Sequence, residues 1–222
     1  MRLATPALIA SLALVFAGGA RAEAVDDPDA RYQALLREAR AKAPDADWLA
    51  LRIAYSERRA FRVVSDSAAR RRMLEAADRA DCAVALAAAR ARLDEAFVDV
   101  DAHLVAAYCE DQAGEAAAAQ LDRDIGAGLV KSIETGDGLS PAGAFTPIDV
   151  DEEYSVIRAM GLKVTGQILV VDHGRSYDSL STVDQTGKAG AYYFLIDRML
   201  ALESAALAPG ALSEGGPPGR SP

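Results

Sequence analysis

The chain has 222 residues, of which 51% are hydrophobic and 26% charged, and its formal net charge is −9. This apolar content can bury the core of one domain or of two small ones, so extensive disorder is excluded. The acidic balance disfavours binding to nucleic acid and to anionic lipid surfaces, both of which attract cationic proteins. A basic triplet, Arg70–Arg72, lies on a predicted helix and is interpreted as a solvated face.

The first 22 residues have the form of an export signal. Arg2 supplies a positive start, Leu3–Ala17 is an apolar run, and Ala20-Arg-Ala22 has the small-x-small form of a cleavage site. The alternative is an uncleaved membrane anchor, but the run is shorter than the ~20 residues that a spanning helix needs. We therefore predict a signal peptide over residues 1–22 and a periplasmic or secreted protein that begins at Glu23. The signal holds two arginines and no acid, so its removal would change the net charge from −9 to −11 and would leave no membrane span.

Cys82 and Cys109 are the only cysteines, and an oxidising compartment favours a disulfide between them. If the helices that carry them are antiparallel neighbours, the two residues are offset by about 6 Å along the helix axes. Together with an axis separation of about 8–10 Å, this offset exceeds the ~7 Å limit between the Cα atoms of a disulfide. The sequence therefore leaves two alternatives open, a disulfide or two small buried side chains.

Six amphipathic helices are predicted before residue 134, and the breaks between them describe stacked antiparallel helical hairpins. The first is predicted over Tyr32–Lys42, with Asp29 near its start. The second is capped by Asp45 or Asp47 and has an apolar stripe from Trp48 to Tyr55. The other four are predicted over 67–79, 81–96, 101–112 and 115–133. Gly126 and Gly128 are unfavourable inside the sixth helix, so a close neighbour is expected at each. We predict a helical hairpin region over residues 23–134.

This helical region carries a weak repeat signal. His103, Gly114 and Ala119 have the spacing of the aromatic residue, the turn glycine and the second-helix alanine of a tetratricopeptide unit. The units do not recur at one period, so the prediction is a degenerate tetratricopeptide-like array. At an aromatic position of such a unit, His103 is interpreted as a packed side chain rather than a functional one.

Residues 132–154 join this region to strand-like sequence. Glycines and a proline between Gly136 and Gly143 break any helix, and Asp149-x-x-Glu152 has the form of a capping box for a helix over 152–160. Four strands are predicted, at Phe145–Val150, Val164–Val171, Tyr177–Val183 and Ala191–Ile196, followed by a helix over 198–206. The fold class is α+β, with a small antiparallel four-stranded sheet and flanking helices over residues 135–208. Residues 209–222 are predicted to be a disordered tail.

The order of several short motifs resembles a family of exported bacterial proteins. The motifs are Asp-x-x-x-Leu-Arg-x-Ala-Tyr (47–55), Asp-Ala-His (101–103), Gly-Leu-x-x-Ser-Ile (128–133), Gly-Asp-Gly (136–138), Ala-Phe (144–145), Glu-Glu-Tyr (152–154), Tyr-Asp (177–178) and Tyr-Phe-x-Ile-Asp (193–197). The family is a domain of unknown function, forty-nine nineteen. It commonly has asparagine where this chain has Leu195, so a role for that amide does not carry over. The resemblance implies the same fold and export, and it implies no activity.

The sequence contains one candidate acid–histidine site. Neither histidine has the spacing of a metal-binding pair, and Cys-x-x-Cys, nucleophile-elbow and phosphate-loop motifs are missing from the sequence, so no metal or cofactor is predicted. His173 lies in a predicted turn, hairpin pairing is expected to bring Asp178 close to it, and Glu153 and Tyr154 are expected to approach at the same sheet edge. The alternative, which is favoured, is that His173 and Asp178 only stabilise the turn.

Two classes of function remain. A non-catalytic protein that binds a protein or peptide is favoured, because repeat-like helices form binding surfaces and no catalytic constellation is visible. The alternative is a hydrolase that uses His173, Asp178 and Glu153 at the sheet edge. The sequence does not determine the oligomeric state or the identity of the partner.

Overall fold

The structure is a computed structural model that describes residues 27–65 and 67–207. The predicted signal peptide and the predicted disordered tail lie outside these residues. The described part has eight α-helices and three β-strands: α1 (Pro28–Lys42), α2 (Trp48–Ser56), α3 (Ala68–Asp78), α4 (Cys82–Glu95), α5 (Val100–Ala113), α6 (Ala116–Ile133), α7 (Val150–Ala159), β1 (Lys163–Asp172), β2 (Arg175–Val183), β3 (Ala189–Leu195) and α8 (Asp197–Leu207). Within the described ranges, no helix combines the length and apolar character needed to cross a membrane.

Aspartate side chains begin many of the helices. In α1, α2, α4 and α5 a carboxylate accepts a first-turn backbone N–H, which satisfies a donor that the helix start leaves unpaired; these residues are Asp27, Asp47, Asp81 and Asp99. Of the two predicted caps of α2, the structure uses Asp47. Helix α1 begins four residues before the predicted Tyr32, because Asp27 caps it rather than Asp29. In the same way, α5 is capped two residues before the predicted Asp101.

Small side chains let the helices of the N-terminal region pack closely. Alanines of α4 and α5 fill a cluster with Met73 and Leu93. The two glycines of α6 have the close neighbours that the sequence predicts. A Cβ atom on Gly128 would lie 2.3 Å from Trp48 Nε1, and one on Gly126 would lie 3.0 Å from Leu104 Cδ2. The tetratricopeptide-like periodicity stays a prediction.

Cys82 and Cys109 form a disulfide that joins α4 to α5, with their Cα atoms 5.1 Å apart. The structure therefore resolves the alternative that the sequence leaves open. Ala85 and Ala76 pack beside Cys109, and such small side chains allow a closer approach of the backbones than a typical axis separation gives.

We expect loss of this disulfide to lower the free energy of unfolding. The bond links residues 27 apart in the sequence, for which the chain-entropy model gives about 3–4 kcal/mol. Urea unfolding of the oxidised protein, of the reduced protein and of the Cys82→Ser/Cys109→Ser variant measures the effect. The reduced protein and the Cys82→Ser/Cys109→Ser variant should both unfold at lower urea concentrations than the oxidised protein. An unchanged midpoint after reduction would contradict the prediction.

The sheet is antiparallel, in the order β1-β2-β3. The prediction of a four-stranded sheet is wrong, because the segment Phe145–Val150 does not form a strand. Only Phe145 forms a bridge, in parallel orientation, with Phe194. The next residues cannot extend the pairing. The carbonyl of Thr146 accepts a hydrogen bond from an arginine of α2, and Pro147 has no N–H to donate to a ladder.

One hydrophobic cluster joins the helical region to the sheet. Its buried members come from α1, α2, α5, α6, α7, α8, from the two strands β2 and β3 and from connecting segments, and they include Leu51, Leu129, Val156, Leu180 and Phe194. Strand β1 contributes no buried member to the cluster. It therefore forms an exposed edge beside a well-packed centre.

Candidate functional site

The start of α7 forms half of the predicted capping box. Asp149 Oδ1 accepts the N–H of Glu152 at 2.9 Å, as predicted. The Glu152 side chain does not return to the N–H of Asp149. It accepts the N–H of Ile148 at 2.8 Å and pairs with Arg52 instead. Helix α7 is therefore anchored to α2 at its first turn.

Arg52 is a buried arginine that binds three segments at once. Its Nε donates to Glu152 at 2.7 Å, its Nη1 donates to the carbonyl of Ser132 at 2.8 Å, and its Nη2 donates to the carbonyl of Thr146 at 2.9 Å. A buried ion pair is tolerated when its geometry is good and its remaining polar atoms have partners. Arg52 thus fixes the end of α6 and the following loop against α2, and it positions α7 for the contacts described below.

A second charged cluster joins α3, α5 and α7. Arg70 forms ion pairs with Asp99, Asp101 and Asp151, and Arg158 also pairs with Asp101. The interpretation of the basic triplet as a solvated face is wrong for Arg70, whose side chain is only 11% exposed. The sequence could not indicate its acidic partners, which lie on other helices. These acids are neutralised within the protein.

His103 is a packed residue that connects α5 to α6. Its Nδ1 lies 2.6 Å from Asp122 Oδ1, and its Nε2 lies 2.8 Å from the carbonyl of Phe97. Both neighbours are hydrogen-bond acceptors, so each ring nitrogen of His103 faces an acceptor on another segment. Burial has the largest influence on the pKa of Asp122 and raises it, but hydrogen bonds from His103 and Arg90 and their charges outweigh burial and lower that pKa.

The structure does not bring His173 to the other two candidate residues. A two-residue turn of His173 and Gly174 joins β1 to β2, so the returning strand begins at Arg175 and not at the predicted Tyr177. Asp178 therefore pairs with a residue of β1 that is about 10 Å along the strand from the turn. The two-residue shift in the strand start separates Asp178 from His173.

His173 points into solvent at this turn. Its side chain is 91% exposed, and its Nδ1 lies 2.9 Å from a carboxylate oxygen of Asp172. A hydrogen bond with Asp172, together with the charge of that carboxylate, raises the pKa of His173. The contact agrees with a turn-stabilising role.

Glu153 and Asp178 do come together, where α7 packs on the sheet. Glu153 is fully buried, and neither of its carboxyl oxygens has a hydrogen-bond partner among the described residues. Burial, and after it the charges of Asp178, Asp149 and Glu152, together raise the pKa of Glu153 to about 9. Burial also raises the pKa of Asp178, against the effect of a hydrogen bond from Gln167. Glu153 is therefore protonated at neutral pH.

Tyr154 and Gln167 connect these acids to the sheet edge. The hydroxyl of Tyr154 donates to Gln167 Oε1 at 2.7 Å, and Gln167 Nε2 donates to Asp178 Oδ2 at 2.8 Å. We call Glu153, Tyr154, Gln167 and Asp178 the acid cluster. Sequence reasoning expected Tyr154 here but missed Gln167, because a single glutamine in a strand carries no distinguishing signal. The described residues contain no group of three or more His, Cys, Asp and Glu side chains that could hold a metal ion.

Strand β1 presents an unpaired outer edge in the described part of the chain. Ile168, Leu169 and Val171 on this strand are 64%, 63% and 67% exposed. The two-residue turn makes the pair beside it hydrogen-bonded, and antiparallel alternation then directs the backbone N–H and C=O groups of Gln167, Leu169 and Val171 outwards. An exposed apolar edge of this length is a surface that other strands can pair with.

A family model described as Domain of unknown function (DUF4919) matches residues 54–205. The chain belongs to the DUF4919 family. The match confirms the resemblance that the short motifs indicate. No curated protein and no solved structure matches this DUF4919 chain.

The DUF4919 match includes all of β1, β2 and β3 and the complete acid cluster. It begins two residues after Arg52, although Glu152, the ion-pair partner of this arginine, lies inside it. The matched region therefore depends on a side chain from the preceding part of α2 for the anchoring of α7.

Proposed function

We propose that this DUF4919 protein is exported and that it binds, without catalysis, an extended segment of a partner polypeptide along the outer edge of β1. The single observation that carries the proposal is the unpaired edge strand with its exposed Ile168, Leu169 and Val171. In strand addition, main-chain hydrogen bonds provide affinity and alternate side chains provide selectivity. The outward N–H and C=O groups of β1 supply the first of these, and its apolar side chains supply the second.

The sheet edge supports this proposal better than the surface of the helical region does. The exposed large apolar residues of α2, α5 and α6 occur singly, as Leu49, Tyr108 and Leu121, and isolated apolar side chains are normal on protein surfaces. On β1, three such residues lie within four positions of one strand. The hydrolase alternative depended on His173, which lies in an exposed turn away from the acid cluster, so we propose binding alone.

A proline on the outer edge tests strand addition. Leu169→Pro removes an outward N–H but leaves the hydrogen bonds of β1 to β2 in place, and Leu169→Thr is the matched control that keeps the N–H and a strand-forming side chain. Nonapeptides selected from a random display library on the wild-type protein serve as probes. Isothermal titration calorimetry should show at least a tenfold loss of affinity for Leu169→Pro and less than a threefold loss for Leu169→Thr.

Hydrogen exchange provides a second measurement of the same proposal. Peptide binding should slow amide exchange at Gln167, Leu169 and Val171, whose N–H groups would then be paired. Tight binding by Leu169→Pro, or protection located on the helices instead of β1, would contradict strand addition. Sedimentation velocity tests whether a second copy of the chain pairs with β1 instead. A concentration-dependent dimer that Leu169→Pro abolishes would identify that second copy as the added strand.

Export has its own test, which does not depend on the binding partner. Intact-mass analysis of the protein isolated from its native cells should give a chain that starts at Glu23, within a residue or two. The same spectra, recorded after alkylation with and without reductant, should show Cys82 and Cys109 blocked only after reduction. A full-length chain that retains Met1 in the cytoplasmic fraction would overturn the proposal of export.

A further inference from the structure

We propose that the acid cluster is a subsite for a basic side chain of the polypeptide segment that binds along β1. This inference rests on the proposed function, since it names the chemistry of the partner that the sheet edge receives. Two observations point to it independently of the exposed apolar edge. One is the position of Asp178 beside the edge strand, and the other is the buried carboxyl group of Glu153 without a hydrogen-bond partner.

The register of the sheet places the cluster within reach of an added strand. Asp178 pairs with Leu169 on β1, and its carboxylate accepts a hydrogen bond from Gln167 of the same strand. The side chains of Gln167, Leu169 and Asp178 therefore share one face of the sheet. An added strand would lie about 5 Å beyond β1 and about 10 Å from β2. A long arginine or lysine side chain on that face can extend across β1 towards the carboxylate of Asp178, which is hydrogen-bonded to a residue of β1.

The carboxylate of Asp178 has no ion-pair partner within the described protein, and the carboxyl group of Glu153 has no hydrogen-bond partner there. Among the residues that the structure describes, no ion pair joins Glu153 or Asp178 to a basic side chain, whereas nearby acids such as Glu152 and Asp101 are paired with arginines. Ionisation of Glu153 is opposed by burial and by its acidic neighbours. A cation placed at Asp178 would offset the repulsion from that carboxylate, which is the second of these causes. An arginine adds hydrogen bonds of fixed geometry to a carboxylate.

A second copy of this chain fits the subsite poorly. The side chains of β1 on the face shared with Asp178 are Val164, Gln167, Leu169 and Val171, none of which is basic. Self-pairing of two β1 strands would thus leave both acid clusters without a cation. It would also bring together two chains that each carry a net charge of −9. The charge pattern favours a different polypeptide with a basic residue.

A pair of synthetic peptides tests the subsite directly. The first is a nonapeptide with blocked ends that alternates valine with serine or threonine and has one central arginine. The second has citrulline, a neutral analogue of the same shape, in place of that arginine. NMR titration of the wild-type protein at low ionic strength should give at least tenfold tighter binding for the arginine peptide. In 0.5 M salt the preference should shrink, because the paired charges are partly screened.

Variants of the acid cluster then locate the preference. Asp178→Asn should reduce the ratio of the two affinities to below threefold, and Glu153→Gln should reduce it to a smaller extent. Glu75→Gln, which changes an exposed acid on α3, is the matched control and should keep the wild-type ratio. The comparison of the two peptides on the wild-type protein stands even where a variant folds poorly.

The outcomes distinguish this inference from the proposed function. Equal affinity of the arginine and citrulline peptides for the wild-type protein, with both affinities lost in Leu169→Pro, would overturn the basic subsite and leave strand addition standing. An arginine preference that persists unchanged in Asp178→Asn would place the cation elsewhere and would also overturn the inference. If neither peptide bound and Leu169→Pro had no effect on selected peptides, both proposals would fail.

Discussion

Arg52→Met should lower the free energy of unfolding by about 3–5 kcal/mol, the usual cost of breaking a buried ion pair by removing one partner. Methionine fills much of the same volume, so the loss reflects polar contacts more than a cavity. Glu152 would remain buried without its cation, and the carbonyls of Ser132 and Thr146 would lose their donors. Urea unfolding followed by circular dichroism measures the change.

A double-mutant cycle separates the ion pair from simple packing. Glu152→Gln alone leaves the Arg52 cation without its carboxylate and should also be strongly destabilising. The double variant Arg52→Met/Glu152→Gln contains neither charge and should be less destabilised than the sum of the two single variants by at least 1 kcal/mol. Arg37→Met, on the exposed side of α1, is the matched control and should change stability by less than about 0.5 kcal/mol. Additive effects of the two single changes would show that the pair is not coupled.

Helix positions could be predicted from the sequence because their determinants are local. Aspartates that cap helices and apolar residues at helical spacing act within one or two turns. Whether residues 145–150 form a strand could not be predicted from local sequence in the same way, because strand pairing joins distant segments. Phe145 does bridge Phe194, but Pro147 and the contact of Thr146 with Arg52 end the pairing after one residue.

The errors at the candidate site have two different origins. The distance of His173 from Asp178 depends on the start of β2, and a shift of two residues in a hairpin moves a side chain by about 7 Å along the strand. The burial of Glu153 and Arg52, by contrast, could have been predicted from the sequence. Glu153 lies three and four residues before Val156 and Ile157, and Arg52 lies four residues after Trp48, so both charges occupy apolar faces of their helices. A charge on an apolar face indicates a buried partner or a perturbed group.

The raised pKa of Glu153 makes stability depend on pH. In the folded protein burial, together with the charges of neighbouring acids, raises this pKa from 4.5 to about 9, so the folded state keeps a proton that the unfolded state releases. The resulting stabilisation is fully present below pH 4.5 and decreases as the pH rises towards 9, by at most ~1.4 kcal/mol per unit. Above pH 9 both states are ionised, and this group causes no further loss. The pKa values of Asp149, Asp151 and Asp178 are also raised, so they add to the same slope.

Glu153→Gln should therefore stabilise the protein at alkaline pH and flatten its pH profile. At pH 8 the wild-type side chain costs up to about 5 kcal/mol in proton uptake, and a buried amide without partners costs about 1–3 kcal/mol. We expect a net gain of about 2 kcal/mol or more at pH 8 and no gain at pH 5. Urea unfolding at both pH values measures this difference. Glu75→Gln should keep the wild-type slope, and parallel profiles for Glu153→Gln and wild type would contradict the prediction.

Asp178→Asn shows how much of this slope comes from charge and how much from burial. Burial is the larger cause of the raised pKa of Glu153, and the charge of Asp178 comes second. Removal of that charge should therefore lower the pKa of Glu153 only in part, and the variant should lie between wild type and Glu153→Gln in its pH profile. A profile as flat as that of Glu153→Gln would mean that repulsion dominates. In that case a peptide bound along β1 whose basic side chain cancels the repulsion should stabilise the protein most strongly at high pH.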